Sequence, residues 1–390
     1  MASQVRLRSW VKWASRIGAT VIVLGLPLIW LSTERFDAFG GQPSSASLAR
    51  IQSSPRFVDG RFQNVEKTVL MAEGTSTFSW VSEWLGGKQL RVPSCPLPYA
   101  KDTALRLAQP PTSGLRVTWL GHSSTILEID GAVILTDPMW SERASPAQWV
   151  GPKRFHAPVL ALSELPKVDA VLISHEHYDH LDMGTVRALA ARGVPFHVPL
   201  GIGGHLERWG VPEKQIVEHD WWQRDLLPGG LAIVSTPARH FNGRGFPGRL
   251  GALWTSWSLI GPTHRVFFSG DTGQTEAFRA IREKEGPFDV ALLEIGQYHV
   301  SWGDIHLGPI GALEAFDRLG AETLIPIHWG TFELAFHAWS EPAETLHVEA
   351  EKRRIRLATP GLGQPIEPTL VRTSTAWWRA LPPIAPACPL

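Results

Sequence analysis

The segment His175-Glu176-His177-Tyr178-Asp179-His180 follows the apolar run Val168–Ser174 and packs imidazoles and carboxylates into one short loop. Imidazole and carboxylate are ligands suited to Zn²⁺ or a similar divalent ion. On an extended backbone His175 and His177 point the same way and can share one metal. Asp179 and His180 come one step further round the turn and can serve a second. The plain alternative is a polar loop that happens to be rich in histidine. A lone histidine would favour that alternative, and this many ligand types in this order weigh against it.

One loop cannot supply a two-metal site, so distant strand ends must contribute. Three later segments fit. Ile233-Val234-Ser235-Thr236-Pro237-Ala238-Arg239-His240 ends a β-branched run with a histidine. Val266-Phe267-Phe268-Ser269-Gly270-Asp271-Thr272-Gly273 is an apolar strand running into a Gly-Asp turn. Leu324-Ile325-Pro326-Ile327-His328-Trp329-Gly330 repeats that grammar, with His328 just past the strand.

This order of ligands resembles the metallo-β-lactamase superfamily. Within it, the flanking stretches resemble N-acylphosphatidylethanolamine-hydrolysing phospholipase D and its bacterial relatives. They are Leu135-Thr136-Asp137-Pro138, Arg143-Ala144-Ser145-Pro146, Gly151-Pro152-Lys153-Arg154-Phe155, Ser163-Glu164-Leu165-Pro166, Asp220-Trp221-Trp222, Gly270-Asp271-Thr272-Gly273 and Pro326-Ile327-His328-Trp329-Gly330-Thr331-Phe332. The resemblance implies an α/β fold, the four-layer αββα sandwich, with two Zn²⁺ per chain. It places His175, His177 and His240 on one ion, Asp179, His180 and His328 on the other, and Asp271 between them. A related branch uses di-iron and typically carries Glu where this chain has His177, so the histidine favours the zinc hydrolases. Tyr298 and His306 stand where the related phospholipases keep active-site residues, and either could contact phosphate or protonate the leaving group. Here the chain departs from the family: an acid-rich run follows the family's histidine, whereas Leu307-Gly308-Pro309-Ile310-Gly311-Ala312 has no acids.

Two metals about 3.5–4 Å apart stabilise the attacking and leaving oxygens of an in-line displacement together. Water shared between them ionises near neutral pH without a strong protein base, which gives Asp179 and its partners a catalytic as well as a ligating role. Phosphodiester hydrolysis follows, and so does opening of a lactone or β-lactam. A metal-bound envelope protein without activity is the non-enzymatic alternative. Asp137 could orient the histidine loop by accepting hydrogen bonds, or simply form an Asp-Pro turn. His122 reads as a structural hydrogen-bonding histidine.

At 390 residues the chain can hold one large α/β domain with extensions. The 37 Lys+Arg equal the 37 Asp+Glu, so no electrostatic footprint for nucleic acid is present. The substrate expected is a lipid or small-molecule phosphodiester. The sequence admits a homodimer and leaves the oligomeric state open. Cys95 and Cys388 are far apart, and unpaired thiols are the default reading. The 18 tryptophans include Trp221-Trp222, Trp254 with Trp257, and Trp377-Trp378, which suit lipid–water boundaries but equally cores and ligand pockets.

Residues 1–35 form an expected membrane anchor or signal segment. Arg6, Arg8, Lys12 and Arg16 precede the apolar run Ile17–Leu31. An uncleaved anchor is the first expectation, which puts the catalytic domain on the periplasmic or outer face. Residues 36–115 read as linker and N-terminal extension, 116–372 as the catalytic domain, and 373–390 as a loosely ordered tail. Within the catalytic stretch, short apolar runs closed by Gly, Asp or Pro predict strands. Helices are expected from Asp182 to about Arg192, over Thr275–Lys284 and over Pro309–Leu319.

Overall fold

The computed structural model describes residues 37–76, 82–84, 86–244, 251–370 and 375–381. A short hairpin, β1 (Phe57–Val58) with β2 (Arg61–Phe62), precedes two larger sheets. The first opens with an antiparallel meander of β3 (Leu115–Gly121), β4 (Ser124–Ile129) and β5 (Ala132–Thr136). It continues in parallel through β6 (Ala170–Leu172), β7 (Phe196–Pro199) and β8 (Ile216–His219). The second contains β9 (Arg224–Leu226), β10 (Ala232–Thr236), β11 (Ser256–Ile260) and β12 (Arg265–Phe268), all antiparallel, then β13 (Phe288–Glu294) and β14 (Ala321–Ile327) in parallel. With β15 (Pro365–Ile366) beside β3, the sheet orders are β15-β3-β4-β5-β6-β7-β8 (7-stranded) and β14-β13-β12-β11-β10-β9 (6-stranded).

Side-chain alternation explains the layering. On β6, Ala170 and Leu172 enter the core shared with Trp257, Leu259 and Phe268 of the other sheet. Val171, and Ile173 just beyond the strand, face the opposite way, onto Val186, Leu189 and Leu206. Those last residues belong to helices. The described helices include α1 (Ser45–Ser53), α2 (Thr103–Leu107), α3 (Met183–Ala191), α4 (Gly203–Arg208), α5 (Ala277–Glu285), α6 (Gly308–Leu319) and α7 (Glu341–Arg353). Helices α3 and α4 cover one sheet, and Phe278, Ile281, Leu313, Phe316 and Leu346 of α5, α6 and α7 pack on the other. The result is the expected αββα sandwich. Asp182 caps α3 as expected, its side chain accepting from Gly184 N at 3.1 Å.

The extension adds its own cluster, in which Ile51 and Phe62 meet Trp221, Leu253 and Trp254. Several expectations need correction. The anchor at Ile17–Leu31 lies outside the described residues. Among the described residues no helix is long and apolar enough to cross a membrane, and the longest of those named above, α7, has 13 residues against the about 20 a bilayer requires. The membrane-anchored, outer-face placement is therefore withdrawn. Cys95 is not a free thiol but disulfide-bonded; the chain's other cysteine, Cys388, lies outside the described residues.

Of the tryptophans singled out for lipid, Trp221, Trp254, Trp257 and Trp378 are buried, and Trp222 and Trp377 are partly buried against the core. Nor is the described part of the tail, 375–381, loose. Trp378 packs edge-on against Trp329 and donates from Nε1 to Glu344 Oε2 at 2.9 Å. Large aromatic area withdrawn from water outweighs the ordering cost of so short a segment. Trp378→Ala is expected to destabilise the fold by about 3–5 kcal/mol, read as a lower urea midpoint with an unchanged slope.

Candidate metal centre

Seven of the named ligand candidates follow strand ends on one rim of the sandwich. His175, His177, Asp179 and His180 follow β6, His240 follows β10, Asp271 follows β12 and His328 follows β14. Parallel strands in both sheets deliver their carboxyl ends to the same side, where α/β folds bind ligands. Backbone geometry then aims the side chains. His122, Asp137 and His328 adopt φ of 51°, 36° and 65°, conformations that non-glycine residues hold only when surrounding structure enforces them. Gly270, with φ 54°, lets the Gly-Asp turn press against Ser174 where a β-carbon would collide.

The structure brings these residues into two adjoining groups. In the first, His177 Nδ1 lies 2.8 Å from His175 Nε2 and 3.2 Å from His240 Nε2. Asp271 Oδ2 lies 3.7 Å from His175 Nε2 and 3.8 Å from His240 Nε2. In the second, Asp179 Oδ2 lies 3.2 Å from His180 Nε2, 3.5 Å from His328 Nε2 and 2.8 Å from His122 Nε2. Asp271 reaches this group too, 3.3 Å from His180 Nε2 and 3.1 Å from His328 Nε2.

Outer partners fix which ring nitrogen faces inward. Ser174 Oγ donates to Asp137 Oδ2 at 2.6 Å, so it accepts from His175 Nδ1 at 2.8 Å. His180 Nδ1 donates to Asp137 Oδ2 at 2.8 Å, His240 Nδ1 to the Ile305 carbonyl at 3.0 Å, and His328 Nδ1 to the Gly296 carbonyl at 3.2 Å. In its neutral form each imidazole would therefore present an Nε2 lone pair to the centre. Converging lone pairs repel one another unless a cation lies among them.

Charge points the same way. Burial is the leading influence on every group here, and it holds the His175, His177 and His240 imidazoles below their ordinary value, hence neutral. Burial opposes ionisation of Asp179 and Asp271 as well, yet the surrounding histidines, His180 foremost, together outweigh it and both stay well below the usual carboxylate range. His180 and His328 resist protonation through burial, but Asp271 and Asp179 raise them well above an ordinary histidine. Buried Asp271 and largely covered Asp179 thus demand positive charge, which protons on His180 and His328 answer. A divalent cation answers the same demand through lone pairs. Asp271 Oδ1, His180 Nε2 and His328 Nε2 are buried with no hydrogen-bond partner among the described residues. The donor set fits metal.

Around this centre the sequence-predicted residues divide. Asp137 is fully buried and holds His180 and Ser174, so it is more than an Asp-Pro turn. His122 bonds Asp179, and burial followed by the nearby His328 lowers its pKa to about 3. His306 stands beside the centre, its ring 5.2 Å from His240 and 5.4 Å from His328. Tyr298 is not brought in. Its hydroxyl donates to Glu341 Oε1 at 3.1 Å, and burial, then Glu341, push the phenol above its usual value.

Sequence reasoning missed Glu294. This buried carboxylate ends β13 and accepts from His306 Nδ1 at 2.8 Å, Thr272 N at 2.8 Å and Leu307 N at 3.1 Å. An acid closing an apolar strand was the available signal, the same grammar that exposed Asp271. Glu176, inside the histidine motif, faces away and accepts from Gly243 N and Arg244 N, both at 3.1 Å. Arg244 in turn stacks over Tyr178 and donates to the Glu176 and Leu181 carbonyls, pinning the loop.

Comparison with known proteins places these residues in context. Residues 133–329 match the family described as "Beta-lactamase superfamily domain". An uncharacterised protein of Mycobacterium tuberculosis is 44% identical over 346 residues, covering 87% of this chain and 91% of that protein. The N-acyl-phosphatidylethanolamine-hydrolyzing phospholipase D 1 of Caenorhabditis elegans is 36% identical over 233 residues, 57% of this chain and 65% of that protein. Among solved structures, the isothiocyanate hydrolase from Delia radicum gut bacteria shares the fold, with a TM-score of 0.52 at 19% identity over 65% of this chain and 98% of that one.

Proposed function

Since the chain belongs to the metallo-β-lactamase superfamily of metal-dependent hydrolases, we propose that it is a binuclear zinc phosphodiesterase of phospholipase D type, acting on an N-acylphosphatidylethanolamine-like lipid. The observation that carries this reading is the pair of ligand groups joined through Asp271. His175 Nε2, His177 Nδ1, His240 Nε2 and Asp271 would hold one ion; Asp179, His180, His328 and Asp271 the other. Two ions held there supply Lewis-acid neutralisation of phosphoryl charge and acidify water.

The remaining chemistry belongs to the chain. Glu294 holds His306 Nδ1 and so directs Nε2 outward. From there it can deliver a proton to the departing alcohol oxygen. The ring is partly exposed, its side chain 12% accessible, which leaves room for substrate. Beyond it Trp302, 5.9 Å from His306, opens a cavity of about 770 Å³ whose walls include Phe155, Phe336, Arg91, Arg143 and Lys153. Glu333 also lines it and pairs with Arg91, and Lys153 pairs with Glu142, so the mostly apolar walls suit an amphiphile with Arg143 as the cation facing it. The phospholipase relative in C. elegans supports the same substrate class.

Purified protein incubated with an N-acylphosphatidylethanolamine should release phosphatidic acid, and chelation should stop release until Zn²⁺ is restored. Turnover of a lactone or β-lactam panel without phosphatidic acid would replace this substrate assignment, and no turnover of either would point to a non-catalytic metal protein. His306→Gln is expected to lower kcat by about 10²–10⁴-fold with KM and metal content nearly unchanged. A variant with full kcat contradicts the proton-delivery role.

A further inference from the structure

A second cluster of ligand-type side chains lies apart from the rim and shares no residue with it. His197 on β7 and His219 on β8 belong to the 7-stranded sheet, and Asp225 lies on β9, the edge of the 6-stranded sheet. His197 Nδ1 lies 3.0 Å from His219 Nε2 and 3.6 Å from Asp225 Oδ2. Donor atoms of a tetrahedral Zn²⁺ site, at its usual bond lengths, lie about 3.3 Å apart. The observed intervals bracket that value, and the 2.8 and 3.2 Å between His177 and its neighbours at the metal centre fall a little below it.

A hydrogen bond between the two imidazoles accounts for the first distance and not for the second. Asp225 Oδ1 accepts from Leu226 N at 2.8 Å, leaving Oδ2 to face the histidines from a different sheet. Both histidines are buried, and the Trp257 ring covers His219 edge-on at 5.3 Å. Facing each other across 3.0 Å, the two buried rings offer a pair of nitrogen donors. The side chain of Asp225 is 42% accessible, which admits an ion and a completing water from solvent.

We propose that His197, His219 and Asp225 form a separate divalent-cation site of the Zn²⁺ class, which ties the open edges of the two sheets together and takes no part in hydrolysis. Two neutral imidazoles and one carboxylate suit Zn²⁺, with Cu²⁺ or Ni²⁺ able to compete, and exclude Ca²⁺ and Mg²⁺, which prefer oxygen. Joining two sheets, the ion would stabilise the folded state by mass action.

The test is equilibrium dialysis of the full chain against a series of buffered free Zn²⁺ concentrations, with thermal unfolding followed in parallel. Wild-type protein is expected to bind one more ion per chain than Asp225→Asn or His219→Gln, and Zn²⁺ should raise its unfolding midpoint further than theirs. Asp225→Asn, at an accessible edge, keeps the comparison valid should the buried substitution fold poorly. Coincident binding curves and coincident Zn²⁺-dependent midpoints for wild type and both variants would overturn the proposal.

Discussion

Asp271→Asn is expected to abolish hydrolysis while leaving the sandwich folded. Asp271 contacts imidazoles of both ligand groups, Oδ1 towards His180 and Oδ2 towards His175, His240 and His328. Asparagine has the same shape but no net charge, and it puts an N–H pair where an anionic oxygen has to meet a cation. His180 and His328 also lose the carboxylate that most raises them, so the substitution weakens charge complementarity across the whole centre. Turnover should fall by at least about 10³-fold, the scale of losing a preorganised electrostatic group from a buried site. Metal bound at this centre should fall from two ions per chain, with the far-UV spectrum unchanged. Full turnover with full metal content in this variant would refute the bridging role.

Asp137→Ala should have the largest effect among residues that touch no ion. Asp137 is fully buried and accepts from Ser174 N at 2.7 Å, Ser174 Oγ at 2.6 Å and His180 Nδ1 at 2.8 Å. Alanine strands the Ser174 and His180 N–H donors away from water at about 1–3 kcal/mol each. It also frees the Ser174 hydroxyl that fixes His175, so two ligands lose their orientation at once. A loss of about 3–5 kcal/mol of folding stability should accompany a 10–100-fold loss of metal affinity, roughly the effect of removing an outer hydrogen-bond partner. Asp137→Asn, which keeps one acceptor, should recover part of both. Urea denaturation and competition against a chromogenic chelator measure the two quantities, and wild-type values for Asp137→Ala would contradict the account.

Motif spacing located the histidine loop and the three remote residues that join it because each ends an apolar strand at a turn, a local pattern carried by neighbours in the chain. Strand and helix grammar around residues 116–330 was legible for the same reason, as with Asp182 capping α3. Other elements were hidden. β7 ends in a proline and β8 mixes charge with apolar residues, so neither reads as a strand until its parallel partners are in place. The tryptophan pairs were ambiguous because an indole suits a core and a lipid boundary alike, and only packing of Trp378 on Trp329 resolved that pair.

The chain alone set out the candidates: nitrogen and carboxylate donors in an order that suits a divalent ion, and a balanced formal charge. Tertiary structure decided which of those groups meet. It turned Glu176 and Tyr298 away, set Glu294 behind His306, and drew His197 and His219 to Asp225 across two sheets. Spacing constrains a side chain only within a turn or two of backbone. Beyond that, direction is set by strand register and by where burial forces each polar atom to find a partner.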